Sequence, residues 1–278
     1  MLEELVPPVR GARGRLVQAM RHAALDGGKR LRPFATVNSA KLFGVPPEGA
    51  LRTAAAIELV HCYSLVHDDL PALDNSDLRH GKPTVHKLFD EATAVLAGDA
   101  LLTLAFGVLV DPKTHPDLQV RAELVASLAA SAGVDGLLGG QTLDMAPERA
   151  SFGLEEIMEL QALKSGALFR FACNAGPILG QADPKSRSAI NAYAFDVGLA
   201  YQIADDLLDL EGSAEELGKP SGQDVQQSKA TFPALLGIEG ARQMAQSRVS
   251  DALGRLVDFG DTALSLRQLA QFSIDRRS

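Results

Sequence analysis

Two short segments concentrate carboxylates where apolar helices should end. The first, His61 to His86, reads HCYSLVHDDLPALDNSDLRHGKPTVH. Asp68 and Asp69 close an apolar stretch, Pro71 stops it, and Asp74 follows in the turn. Proline breaks the spiral, so Asp68 and Asp74 are released from helical phase and can turn toward one point. The second segment, YQIADDLLDLEG, places Asp205 and Asp209 at i and i+4 on one helix face. Asp206 stands about 100° round from them, with Leu207 and Leu208 expected to face the core. Clustered carboxylates at the mouth of a buried helix repel one another unless cations neutralise them. A solvated acidic patch accounts for either segment alone, but two on helices expected to be buried favour a shared metal site. All candidate ligands are hard oxygen donors without interleaved Cys or His, which selects magnesium or manganese over zinc. Neither segment has the alternating acids and central glycine of an EF-hand, and no HExxH is present.

Cations stand where an anion would need them. Gly27-Gly28-Lys29-Arg30-Leu31-Arg32-Pro33 sets two glycines before three basic residues, allowing close backbone approach, with Lys29 and Arg32 at i and i+3. The spacing excludes a Walker loop. Arg79 and Lys82 follow the first acidic segment, Lys164-Ser165-Gly166 opens another turn, and Lys219-Pro220 and Lys229-Ala230-Thr231 follow the second. Scattered lysines usually mark a solvated surface. These adjoin glycine, proline or hydroxyl residues at helix ends, where anions bind readily. Carboxylates for cations and cations for phosphates, on helices with apolar interiors, describe a pocket for a metal-bound diphosphate with a hydrocarbon tail.

The elements that must position these groups read as helices. Apolar residues recur at helical spacing over Leu51 to Leu70, Ala92 to Val110, Arg121 to Leu138, Leu154 to Leu179 and Ile190 to Leu210. Aromatic residues are 5% of the 278 and tryptophan is absent, which disfavours a sheet. Turn signals such as Gly27-Gly28, Pro46-Pro47, Pro71, Asp111-Pro112 and Asp183-Pro184 separate the helices without forming a domain linker. The expectation is one all-α bundle of roughly ten or more helices. The net charge of −8 disfavours nucleic-acid and anionic membrane surfaces. Cys62 and Cys173 lie in apolar stretches and read as buried free thiols, fitting a cytoplasmic protein. No signal peptide and no membrane span are expected, since no apolar run reaches about 18 residues.

The chain resembles the isoprenyl diphosphate synthases, and particularly the bacterial farnesyl diphosphate synthases. The likeness rests on GGKRLRP, HCYSLVHDDLPALD, LRHGKPT, LAGDALL, GGQTLDM, LKSGALF, YQIADDLLD, GKPSGQD and SKATFPALLG, all in the family's order, from Gly27 to Arg276-Arg277. It implies one domain over residues 1–278, an isoprenoid synthase fold of mostly antiparallel helices around a deep central cavity, and a homodimer. It implies three magnesium ions per site, with manganese an alternative, held by Asp68, Asp74 and Asp205 and supported by Asp69, Asp206 and Asp209. Arg79, Lys164, Ser165, Gln202 and Lys219 would hold the allylic diphosphate, with Lys229 nearby. Lys29, Arg32 and His61 would hold isopentenyl diphosphate, and His80 occupies a further position of that site. The implied reaction ionises the allylic diphosphate, adds isopentenyl diphosphate and eliminates a proton. Chain growth runs beneath the first acidic segment, where Ser64 lies one turn, about 6 Å, below Asp68. The adjacent Tyr63 is bulky enough to close the cavity floor, an arrangement that resembles the fifteen-carbon synthases.

Several positions depart from the family pattern. His80 replaces a usual arginine, Asn75-Ser76 replace common acids, and Ser228 replaces a glycine before Lys229. The histidine predicts weaker binding of isopentenyl diphosphate, improving as pH falls. The stretch ahead of Gly27 is short for the family. Within the class, a geranylgeranyl or geranyl diphosphate synthase is the alternative. A silent partner subunit should lack one acidic segment, and a terpene cyclase has little need of GGKRLRP.

Overall fold

The computed structural model describes residues 1–146, 151–211 and 230–276. Among the described residues the chain is helical, apart from one two-residue antiparallel hairpin. Contacts divide it into two units, Met1–Val37 with Pro46–Val125, and Asn38–Val45 with Ala126–Ser278.

The first unit holds α1 (Leu2–Leu5), a 3₁₀ turn at Gly11–Arg13, α2 (Gly14–Leu25) and the start of α3 (Leu31–Leu42). It continues with α4 (Pro47–Asp68), β1 (Leu78–Arg79), β2 (Lys82–Pro83), α5 (Val85–Leu88), α6 (Glu91–Val110) and the start of α7 (Leu118–Ala132). Pro47 begins α4, where its fixed φ and missing N–H cost nothing. Ala54, Ala55 and Ala56 then combine high helix propensity with small volume, and α4 packs closely on α6. Ile57, Leu59 and Val60 of α4 and Leu101 and Leu109 of α6 have no exposed surface. Burial of each such side chain contributes roughly 1.5–3 kcal/mol. Asp90 caps α6, its Oδ1 accepting the Thr93 N–H at 2.7 Å.

By length and composition alone Glu91–Val110 and the stretch Leu118–Asp144 reach the hydropathy of membrane-crossing segments, a test that core helices also pass. Asp99 interrupts the run in α6 without lowering its average hydropathy enough to matter. In the fold, α6 buries Ala94, Ala97, Leu101, Ala105 and Leu109 and packs on α2 and α4.

The second unit holds the remainder of α3 and α7, then α8 (Leu137–Asp144), α9 (Leu154–Gln161), a π-helical turn at Ala162–Gly166 and α10 (Ala167–Leu179). It ends with α11 (Pro184–Glu211), α12 (Phe232–Arg255), a 3₁₀ stretch at Val257–Ala263 and α13 (Leu264–Asp275). The apolar stretch Arg121 to Leu138 is not one helix. It breaks between α7 and α8, where a Cβ on Gly136 would lie 2.2 Å from the Ser131 carbonyl oxygen. Leu154 to Leu179 is continuous but passes through the π turn. α11 starts earlier than its apolar pattern because Asp183 Oδ1 accepts the N–H groups of Lys185 and Ser186, with Pro184 opening the helix. α12 is kinked at Gly237, whose φ of 72° suits glycine.

Pro177 sits inside α10 and lacks the N–H that would satisfy the Cys173 carbonyl four residues earlier. The buried Ser39 hydroxyl supplies that bond, donating to the Cys173 oxygen at 2.5 Å. Gly176 permits the approach, since a Cβ there would fall 2.3 Å from Ser39 Oγ. Elsewhere, Ile157, Leu199, Ile203, Leu207, Phe232 and Ala241 form a buried apolar cluster under α11 and α12.

Candidate active site

The first acidic segment is organised by its backbone. α4 ends at Asp68, and after Pro71 the chain folds back until the Asp74 N–H donates to the Asp68 carbonyl at 2.8 Å. The Asn75 N–H reaches Leu70 and the Ser76 N–H reaches Asp69, closing the turn. Asn75 has a φ of 49°, which an amide residue tolerates better than a β-branched one. Asp68 and Asp74 are thereby adjacent, with Asp74 exposed and Asp68 half-buried.

Asp69 takes another direction. It is buried, and its Oδ1 accepts from Arg79 Nε at 3.1 Å and Nη2 at 2.5 Å. Burial raises the Asp69 pKa, while the Arg79 guanidinium pulls it back down. Arg79 lies on β1, so the hairpin is what brings the expected diphosphate ligand beside the acidic turn.

A cleft in the same unit is lined by Asp26, Gly27, Gly28, Arg30, Glu58 and His61, among others, and by Asp69, Arg79, His80 and Lys82. Of the four residues expected at the isopentenyl diphosphate site, His61 and His80 line this cleft; Lys29 and Arg32 do not. Lys29 is exposed, while Arg32 Nη1 donates to His61 Nε2 at 3.5 Å. Burial, then Arg32, His80, Arg79 and Arg30, hold the His61 pKa well below the usual histidine value. His80 is also lowered, by burial first and then by Arg79 and Arg30.

Sequence reasoning missed Arg30 and Glu58, which form an ion pair in this cleft. Arg30 Nη2 also donates to the Ala24 carbonyl at 2.8 Å, and Glu58 is 3% exposed. Glu58, Cys62 and Leu65 of α4 and Asp69 just past its end recur at helical spacing and all line the cleft, a signal the sequence did carry.

In the second unit, the three acids of α11 separate by burial. Asp205 is exposed, whereas Asp206 and Asp209 are each 5% exposed. Asp205 and Asp209 keep their i, i+4 spacing on one helix, as expected, but neighbouring elements cover the end of α11 unevenly. Asp205 Oδ1 accepts from Arg276 Nη2 at 2.8 Å, and that guanidinium also donates to the Tyr201 carbonyl and lies 3.7 Å from its ring centroid. Asp206 Oδ2 accepts the Phe232 N–H at 3.1 Å, satisfying a donor in the first turn of α12. Leu207 is buried, and Leu208 is half-buried rather than in the core.

Lys164 lies in the π turn, and its Nζ pairs with Asp144 Oδ2 at 2.5 Å. Gly140 admits this strand of backbone, since a Cβ there would fall 2.2 Å from the Lys164 nitrogen. Asp144 belongs to the GGQTLDM segment and was not singled out as a site residue. Ser165 and Gln202 are half-buried in the same unit, and Lys219 and Lys229 lie outside the described residues. Tyr63 and Ser64 are both buried on α4, and Ser64 Oγ donates to the His61 carbonyl at 2.8 Å.

Among the described residues no three His, Cys, Asp or Glu side chains stand together as a ready-made metal cage. Magnesium does not need one. It keeps several waters and takes one or two carboxylates beside phosphate oxygens. The carboxylates of Asp68, Asp74 and Asp205 fit that requirement in donor type.

These helices and acidic turns are those of a known family. The polyprenyl synthetase family model matches residues 13–262, and the chain belongs to that family. It is 40% identical over 281 residues to the farnesyl diphosphate synthase of Escherichia coli K12, covering 99% of this chain and 94% of that protein. It is 42% identical over 248 residues to geranylgeranyl pyrophosphate synthase 9, chloroplastic, of Arabidopsis thaliana, covering 87% of this chain and 68% of that protein. A crystal structure of an FPP/GFPP synthase from Zymomonas mobilis superposes with a TM-score of 0.90 at 49% identity, covering 98% of this chain and 93% of that one. The all-α fold expected from the sequence is the fold these relatives share.

Proposed function

We propose that this chain is a prenyltransferase that condenses isopentenyl diphosphate with dimethylallyl and geranyl diphosphates to give farnesyl diphosphate. The observation that carries the reading is the fold-back at Pro71, which sets Asp74 beside Asp68 next to a cleft lined by Arg30, Arg79 and Lys82. Asp68, Asp74 and Asp205 are the residues that would hold magnesium, with Asp69, Asp206 and Asp209 in support. Bound magnesium would supply Lewis-acid stabilisation of charge on the leaving diphosphate. By the family resemblance Arg79, Lys164, Ser165, Gln202, Lys219 and Lys229 would hold the allylic diphosphate, the cations among them adding positive charge toward it. His61 and His80, with Arg32 hydrogen-bonded to His61, would orient isopentenyl diphosphate, and Lys29 would add a further positive charge. The apolar lining of α4 keeps water from the allylic cation until the double bond of isopentenyl diphosphate adds to it. No side chain is required as base, because the departing diphosphate can take the proton. Tyr63 limits growth at fifteen carbons.

A single family match from residue 13 to 262 supports one polyprenyl synthetase domain. Homodimerisation is supported by the apolar residues exposed along α6 and just beyond it, Val95, Leu96, Val110 and Leu118. A cytoplasmic location is supported by two buried free thiols, Cys62 and Cys173. Incubating the protein with magnesium, isopentenyl diphosphate and dimethylallyl diphosphate, then resolving products by chain length, tests the activity. Farnesyl diphosphate as the main product is the expected result. A twenty-carbon main product would favour the geranylgeranyl reading, to which the Arabidopsis relative's name points. No condensation at all would overturn the proposal.

A further inference from the structure

Tyr63 is held from behind. It and His67 are one turn apart on α4, and their rings meet edge to face, with centroids 5.6 Å apart at 87°. The far side of the imidazole is fixed to α6. His67 Nε2–H donates to the Val95 carbonyl at 3.1 Å. The ring then rests directly on Gly98, where a Cβ would lie 2.1 Å from Nε2, 2.4 Å from Cδ2 and 2.9 Å from Cε1. Only a residue without a side chain leaves room for the imidazole in this seat. The ring is thus clamped between the α6 backbone and the edge of Tyr63.

We propose that His67, seated on Gly98, is a positioning residue for Tyr63 and through it sets the length of the prenyl product. Neither residue needs to touch the growing chain. Any side chain at position 98 would evict the imidazole and remove the support that stops the tyrosine ring from tilting away. The inference rests on the reading of Tyr63 as the cavity floor, and the test separates the two.

Product chain lengths are measured for Tyr63→Ala, His67→Ala, His67→Gln, Gly98→Ala and the double variant His67→Ala/Gly98→Ala, with thermal melts to confirm folding. Tyr63→Ala and His67→Ala should both raise the ratio of twenty-carbon and longer products to farnesyl diphosphate by about tenfold, the low end of discrimination by one hydrocarbon group in an apolar pocket. His67→Gln should do the same, because a flexible amide offers no ring edge. Gly98→Ala should shift products in the same direction alone and add nothing in the His67→Ala background, since it acts through the imidazole. A merely structural role would lower rate or melting temperature without changing the product ratio. Longer products from Tyr63→Ala with an unchanged distribution from both His67 variants would overturn the inference and leave the Tyr63 reading intact. An unchanged distribution from Tyr63→Ala would overturn that reading and the inference with it. Should Gly98→Ala fail to fold, the two His67 variants decide the matter alone.

Discussion

The guanidinium of Arg276 lies 2.8 Å from Asp205 Oδ1, so an arginine near the C-terminal end already neutralises the exposed acid of the second aspartate-rich segment. Arg276 is 3% exposed and Asp205 49% exposed at the side chain, which makes the pair half open to solvent. A cation bound by Asp205 must compete with that arginine. Replacing Arg276 by Gln should tighten Mn²⁺ binding, read by electron paramagnetic resonance, by up to about fivefold, the equivalent of a partly exposed ion pair. Unchanged binding would mean that Arg276 does not share Asp205 with a metal.

Asp205 and Asp206 are adjacent in sequence but should respond to substitution in different ways. Asp206 satisfies the Phe232 N–H at the start of α12, so Asp206→Ala should cost about 1–2 kcal/mol of stability. Asp205→Asn should leave the melting temperature nearly unchanged and abolish turnover. Thermal melts beside a condensation assay test the contrast, and a larger stability loss for Asp205→Asn would contradict it.

Histidine titration sets a pH dependence. His61 and His80 both have pKa values below the ordinary histidine value, with burial as the leading cause. Below about pH 6.5 the unfolded chain binds protons that the folded chain refuses, so stability present at neutral pH declines on acidification. The decline continues until the folded-state histidines also protonate. Denaturant melts from pH 7.5 to 5 should show this slope, and His61→Gln should flatten it. Because His80 stays neutral at pH 7 and above, its help to isopentenyl diphosphate should emerge only below about pH 6.5. His80→Arg should lower the Michaelis constant for that substrate about tenfold at pH 8, the scale of one charge-assisted hydrogen bond. An unaltered constant would remove His80 from the binding site.

Ser39 and Pro177 form a compensating pair. Ser39→Ala should leave the Cys173 carbonyl without its donor and cost about 1–3 kcal/mol. Pro177→Ala restores a backbone N–H four residues after Cys173, so Ser39→Ala should cost about 1 kcal/mol less in that background. Chemical denaturation of the four proteins measures the coupling. Additive losses would show that the helix does not use the hydroxyl in this way.

Much of the site was legible because its chemistry depends on local backbone. Pro71 announces the break after Asp68 and Asp69, and the Asp74 N–H does return to the Asp68 carbonyl. Arg30 was not legible in the same way. The choice among Lys29, Arg30 and Arg32 depends on φ values of 90° at Gly28 and 55° at Arg30, which turn Arg30 toward Glu58. Alternation of charge cannot reveal such a turn. The unequal burial of Asp205 and Asp209 was equally hidden, since helical phase gives their angle but not what packs over each. The break before α8 could have been weighed from Gly133 and Gly136, whose spacing interrupts an otherwise apolar run.

The π turn at Ala162–Gly166 carries a consequence for chain length in the protein itself. A turn of that kind holds one residue more than an α-helical path over the same rise. Deleting one residue from it would let α9 run smoothly into α10 and leave everything downstream in its present phase, because the wide turn is what absorbs the extra residue. Phe171, Cys173 and Ile178 would stay sheltered. The change would fall on the turn itself, where Lys164 would lose its alignment with Asp144. A one-residue deletion in this short stretch should therefore disturb the site before it disturbs the fold.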